Sequence, residues 1–243
     1  MKQVIYNVLT NEKIAKDVFK MTMQGDCESI RCGQFVNILI DGLYLRRPIS
    51  VCEVEGDVLT LIYKVVGKGT EKMSLMEKGT QLDVLTGLGN GYNLELSGDK
   101  PLLIGGGVGV PPMYELAKQL TSQGKAVTVI LGFNKAEEIF YQDEFKALGA
   151  DVYVATVDGS VGTKGFVTDV MNTLQGYTYV YTCGPEPMLK AVYNTSVTSG
   201  QFSFEERMGC GFGACMGCSC KTKYGNKRIC KEGPVLTKEE IIW

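Results

Sequence analysis

Up to about residue 97 the apolar positions come in short runs rich in β-branched and aromatic residues, separated by Gly and Asp turns, which is a strand pattern. The runs are Val4–Leu9, Val18–Met23, Phe35–Ile40, Val58–Val66 and Leu82–Leu85. In one of them Val36, Ile38 and Ile40 alternate with Asn37 and Leu39, the period-two spacing of a strand with one buried face. Asp41-Gly42 and Gly56-Asp57 supply turns. Several short strands at this spacing predict a small antiparallel barrel.

The pattern changes near Pro101. Leu102–Ile104 is a short apolar strand that runs into Gly105-Gly106-Gly107-Val108-Gly109, then Pro111-Pro112 and a helical stretch, Met113–Ser122. Strands at Ala126–Leu131, Asp151–Thr156 and Tyr177–Thr182 alternate with helical stretches at Glu137–Leu148, Phe166–Leu174 and Pro187–Thr195. Alternation of this kind predicts a parallel sheet with right-handed crossovers. From about Gln201 cysteine and glycine interleave in a segment too short to hold its own core, so it needs a metal centre or packing against the rest of the chain. The expected division is a β-barrel over 1–98, an α/β domain over 99–200 and a cysteine-rich segment over 201–243.

Composition sharpens this picture. The chain has 243 residues, 9 cysteines and no histidine. Without histidine there is no Ser-His-Asp or Cys-His catalysis, no histidine zinc protease site, no imidazole-ligated haem and no Rieske centre. The net charge of −2 gives no footprint for nucleic acid. No apolar run reaches the ~18 residues of a membrane span. The opening residues lack the apolar stretch of a secretory leader, so a reducing cytoplasm is expected, where clustered cysteines point to metal or redox chemistry.

Five cysteines fall in Cys210-GFGA-Cys215-MG-Cys218-S-Cys220-KTKYGNKRI-Cys230. The first three have the C-x4-C-x2-C spacing of a plant-type [2Fe–2S] site. The intervening glycines let a tight loop offer three thiolates, with the fourth arriving from a neighbouring strand. Cys230, after a Tyr224-Gly225-Asn226 turn, suits that place, while Cys220 is an alternative to Cys218 or Cys230. A zinc ribbon or a set of buried thiols is the competing reading, although only one C-x2-C knuckle is present.

Other strings are less specific. Gly105, Gly106, Gly107 and Gly109 follow a strand and precede a helix, as for a pyrophosphate or nicotinamide, but a tight strand–helix turn has the same look. Arg46-Arg47-Pro48-Ile49-Ser50 can grip a phosphate or be a surface pair ending a loop. Gly67-Lys68-Gly69-Thr70 can cradle an anion or turn a hairpin. Cys183, before Gly184-Pro185, is a nicotinamide contact or a small buried residue.

In this order, the barrel with Arg-Pro-Ile-Ser, the sheet with a glycine-rich turn and Cys-Gly-Pro, and the C-terminal cysteine cluster resemble the ferredoxin reductase-like flavoproteins. Glu206-Arg207-Met208-Gly209-Cys210-Gly211-Phe212-Gly213-Ala214-Cys215 and Ile229-Cys230-Lys231-Glu232-Gly233-Pro234-Val235 look like the family of dihydroorotate dehydrogenase B electron transfer subunits. The resemblance covers essentially the whole chain. It implies FAD held by Arg47, Pro48, Ile49 and Ser50, by Ile62, Tyr63 and Lys64, and by Gly69 and Thr70. It implies NAD as electron acceptor at Gly105–Gly109 and Cys183-Gly184-Pro185. It implies a [2Fe–2S] cluster on Cys210, Cys215, Cys218 and Cys230, and no catalytic acid or base. The implied partner is an FMN-containing catalytic subunit, two of each in a heterotetramer, with Phe212 and Met216 as candidate contacts. A related flavoprotein subunit moving electrons between NAD(P)H and ferredoxin or sulfur compounds is the alternative.

Overall fold

The computed structural model describes residues 1–243. Six antiparallel strands close a barrel in the order β1-β2-β5-β4-β3-β6. They are β1 (Lys2–Ala15), β2 (Val18–Gln24), β3 (Phe35–Ile38), β4 (Arg47–Glu55), β5 (Val58–Lys64) and β6 (Gln81–Leu88), with helix α1 (Lys68–Ser74) between the last two. The alternation read from the sequence fills the barrel, since Val36, Ile38, Val84, Leu59 and Leu61 all lie in its interior. Asn37 departs from the simple pattern: it is only 1% exposed although it points outward. The reason is long-range, because the loop at Cys210 covers that side of β3 and its carbonyl accepts a hydrogen bond from Asn37 Nδ2.

The second sheet is built on β7 (Pro101–Gly106), β8 (Thr128–Phe133), β9 (Asp151–Thr156), β10 (Thr163–Lys164), β11 (Tyr179–Cys183) and β12 (Gly200–Ser203). Its strand order is β10-β9-β8-β7-β11-β12, all parallel. The helices are α2 (Pro111–Ser122), α3 (Gln142–Ala147), α4 (Val167–Met171) and α5 (Glu186–Thr195). The helix expected over Glu137–Leu148 is broken. A 3-10 turn at Ala136–Glu138 is followed by Tyr141 at φ 66°, a left-handed conformation that a continuing helix cannot hold, and α3 starts afresh after it. Phe140 and Tyr141 are buried there against Phe133 and Tyr114, and that aromatic packing outweighs local helix propensity.

The cysteine-rich tail is woven into this sheet. After β12 the chain leaves, forms a hairpin of β13 (Ser219–Thr222) and β14 (Gly225–Arg228), and returns as β15 (Val235–Thr237) antiparallel to β12. Cys218, Ile229 and Cys230 join one core with Phe35 and Leu88 of the barrel and Leu236 of β15. At roughly 1.5–3 kcal/mol for each fully buried aliphatic side chain, these contacts hold a tail that could not fold alone. On the other side of the sheet, α2 packs on β4, and Lys118 bridges to Glu53 at 2.6 Å. Barrel and sheet are thus fixed against each other. No helix is long and apolar enough to cross a membrane.

Candidate functional site

Between barrel and sheet lies a cleft of about 370 Å³. Strand β4 brings Arg47, Pro48, Ile49 and Ser50 to it, and β5 brings Ile62, Tyr63 and Lys64. Tyr63 is a rigid wall, stacked on Phe19 with its hydroxyl donating to Asn11 Oδ1 at 2.9 Å. Thr70 also lines the cleft, but its hydroxyl is committed to the turn: it accepts from Val66 N–H at 3.0 Å and donates to the Gly67 carbonyl at 3.1 Å. The Gly67–Thr70 string therefore starts helix α1 and is not a hairpin turn. Gly69 has a steric reason to be glycine, since a Cβ there would run into the Arg47 side chain.

Arg47 donates to the Leu45 carbonyl, and its remaining N–H groups are left for the cleft. Phe35, the cross-strand neighbour of Ser50, also lines the cleft, as do Met208 and Pro234. A cationic donor beside aromatic and apolar side chains fits a ligand with an anionic linkage and a planar ring, as in a flavin dinucleotide. Sequence reasoning did not place Phe35, Met208, Pro234 or Glu205 here. They come from three separate parts of the chain, Glu205 and Met208 sharing one, and nothing local marks them.

The nucleotide edge meets the same cleft. In the parallel sheet the strand order reverses between β7 and β11, and the crevice beyond their carboxyl ends is where such sheets take ligands. Gly105, Gly106, Gly107 and Gly109 form the β7–α2 turn, and Val108 from that turn lines the cleft. A Cβ on Gly109 would strike the Cys183 carbonyl, so this glycine lets the two strand ends close up. Cys183 is 2% exposed and lines the cleft too. Burial, aided by the negative charge of Glu205, pushes its thiol up to about 12, so it remains protonated at neutral pH. Gly184 and Pro185 border a neighbouring cavity of about 250 Å³. Glu205 stands at the mouth of both cavities, and partial loss of hydration raises its carboxyl.

The cysteine loop lies against β3. Burial alone would raise the Cys210 thiol, but the backbone N–H groups of Cys215, Phe212 and Ala214 and the Cys215 thiol outweigh it and hold Cys210 at about 6. The Ala214 N–H reaches Cys210 Sγ at 3.3 Å. Cys218 and Cys230 form the other pair. Cys230 N–H donates to Cys218 Sγ at 3.4 Å, and burial together with the adjacent Cys218 thiol pushes Cys230 up to about 12. The four thiols thus group two and two, and nowhere do three or more Cys, His, Asp or Glu side chains close on a single-ion site. Two pairs are what a cluster of two irons requires, two thiolates on each. Cys220 lies elsewhere, lining the smaller cavity beside Glu206 and Lys221, its thiol raised by burial and by Glu206. Phe212 is 42% exposed and Met216 55% at the rim of the loop. Cys27, Cys32 and Cys52 are buried, their thiols raised by desolvation.

Comparison with known proteins places these features. Residues 205–242 match the model of the iron–sulfur cluster binding domain of dihydroorotate dehydrogenase B, and residues 103–194 match the oxidoreductase NAD-binding domain. The chain is 48% identical over 247 residues to the dihydroorotate dehydrogenase B (NAD(+)) electron transfer subunit of Fusobacterium nucleatum subsp. nucleatum, covering 95% of each. It is 43% identical to that of Bacillus pumilus, covering 99% of this chain and 98% of the relative. Among solved structures it superposes on an NADH-dependent reduced ferredoxin-NADP oxidoreductase with a TM-score of 0.89 and 31% identity, covering 98% of this chain and 90% of the other. A ferredoxin NADP+ reductase from Neisseria gonorrhoeae with bound FAD and NADP shares the fold, with a TM-score of 0.69 and 19% identity over 80% of this chain and 90% of the other.

Proposed function

The chain belongs to the family of dihydroorotate dehydrogenase B electron transfer subunits, and on that premise we propose that it passes electrons from an FMN-containing catalytic subunit to NAD+. It is an oxidoreductase subunit; oxidation of dihydroorotate to orotate, a step of pyrimidine biosynthesis, takes place on the partner. Two copies of each subunit form the working heterotetramer in the cytoplasm. FAD exchanges two electrons at once with nicotinamide and single electrons with a [2Fe–2S] cluster, which is why one chain carries both.

The chain's own residues do the positioning. Arg47 and Ser50 would lie near the phosphates and isoalloxazine of FAD, and Gly69 and Thr70, in the first turn of α1, would give a further contact. Pro48, Ile49, Ile62, Tyr63 and Lys64 wall the ring. Gly105, Gly106, Gly107 and Gly109, with Gly184 and Pro185, form the NAD-binding edge, and the neutral Cys183 thiol sits where it meets the cleft. Cys210, Cys215, Cys218 and Cys230 hold the cluster. Phe212 and Met216, exposed beside it, face the catalytic partner. The units 1–98, 99–200 and 201–243 are functional divisions of one packed body, since β12 and β15, which apart from Gly200 lie in the last unit, are strands of the sheet of the second.

One observation carries this reading. Met208 lines the cleft and precedes Cys210 by two residues; Pro234 lines it too and follows Cys230 by four. Two short stretches of backbone therefore join the flavin wall to opposite halves of the cluster. The test is co-purification with a dihydroorotate dehydrogenase catalytic subunit and an assay of dihydroorotate-dependent NAD+ reduction. Activity that needs both subunits supports the reading; none with any such partner sinks it.

A second reading has the close likeness to the NADH-dependent reduced ferredoxin-NADP oxidoreductase in its favour. It puts ferredoxin in the place of the catalytic subunit. Reduction of ferredoxin by NADH without dihydroorotate dependence would favour it.

A further inference from the structure

We propose that Arg228, with Glu232, fixes the cysteine loop and sets the reduction potential of the cluster, a role that rests on Cys210, Cys215, Cys218 and Cys230 being its ligands. Arg228 is the last residue of β14, and its groups reach three parts of the site. Nη1 donates to the Gly213 carbonyl at 2.7 Å, inside the loop between Cys210 and Cys215. Nε donates to one carboxylate oxygen of Glu232 at 2.9 Å and Nη2 to the other, a two-pronged pair. The backbone N–H of Arg228 reaches the same carboxylate at 2.8 Å. Its carbonyl accepts from the N–H groups of Lys231 and Glu232, both at 2.9 Å, closing the turn that carries Cys230. One residue thus ties the loop of the first two ligands to the turn of the fourth, with its charge in range of the Cys218 and Cys230 thiols.

The electrostatic consequence is direct. One-electron reduction adds a negative charge to a site whose thiolates are already negative, and net charge and hydrogen bonding tune the potential of such clusters. A fixed guanidinium favours the reduced state and a carboxylate opposes it. The two side chains are 24% and 34% exposed, so solvent weakens each contribution without erasing it. While both are present they largely mask one another. A merely structural clasp would fail the same way whichever half was cut, whereas a clasp that also tunes charge responds with opposite signs. Lysine at position 228 keeps the charge but cannot span Gly213 and Glu232 with one planar group.

The test is a mediator-coupled redox titration of the chain carrying FAD and cluster, read by the cluster's electron paramagnetic resonance. Arg228→Met is expected to lower the reduced-to-oxidised ratio about tenfold at a fixed potential, which for one electron is about 59 mV. Glu232→Gln is expected to raise the ratio, and the double variant to return close to the parent. Arg228→Lys is expected to keep the ratio near the parent's but to lose iron faster to a chelator. Should Arg228→Met fail to hold a cluster, Glu232→Gln decides: a rise supports the proposal, and a fall or no change overturns it. Shifts of the same sign in both single variants overturn it as well. A parent chain without iron, sulfide or a signal would instead overturn the ligand assignment, and the proposal with it.

Discussion

The barrel core and the cysteine loop put the same side chain to opposite uses. In and around the barrel, Cys27, Cys32 and Cys52 are buried, and desolvation raises their thiols. They act as small hydrophobes. In the loop, Cys210 is also partly desolvated, yet converging backbone N–H groups reverse the outcome and favour the thiolate. The difference is local backbone direction. A strand spends its N–H groups on its neighbours, while a glycine-rich loop can turn them onto sulfur.

The largest expected effect follows from that contrast. Cys218→Ser should abolish the cluster, seen as loss of iron and sulfide from the purified chain, while Cys220→Ser should keep both. Retention of iron in Cys218→Ser together with its loss in Cys220→Ser would reverse the ligand set. Next is Arg47→Ala, which removes charge-assisted hydrogen bonds of about 1.5–3 kcal/mol. It should weaken FAD binding roughly 10- to 100-fold, measured by flavin retention on dialysis, with iron content unchanged. Parallel loss of iron would show that cleft and loop are not independent.

A smaller effect is a pH dependence in the iron-free chain. With Cys210 held at about 6, its thiolate fraction rises about tenfold between pH 5 and pH 7, so alkylation by iodoacetamide should speed up by that factor and mark Cys210 first. Cys183, at about 12, should stay unmodified across the same range. Mass spectrometry of the labelled peptides decides it, and equal labelling of the two would remove the contrast. Smallest is Cys52→Ala, a fully buried thiol in the barrel wall. It should lower stability by about 1–2 kcal/mol, seen as a modest drop in the thermal midpoint, with FAD and iron intact.

How much of this is legible in the sequence depends on how local the signal is. The strands of the barrel show because period-two alternation reflects a face each strand buries by itself. The cysteine spacing shows because three ligands sit in one loop. Asn37 breaks the pattern because its burial is imposed by Cys210, far along the chain. Tyr141 interrupts an apparently helical stretch because aromatic packing sets its backbone. Phe35, Met208 and Pro234 share the cleft wall only after the barrel has docked on the sheet and β15 has returned beside β12. Arg47 is visible as part of a string, but its fit over Gly69 needs β4 and α1 brought together.

The most direct test of the central claim is an anaerobic NADH titration of the purified chain, followed by flavin absorbance and by electron paramagnetic resonance. The account predicts that NADH bleaches the flavin and that a one-electron [2Fe–2S] signal grows in the same sample. A colourless chain that holds a single zinc ion on its cysteines, unchanged by NADH, would contradict it.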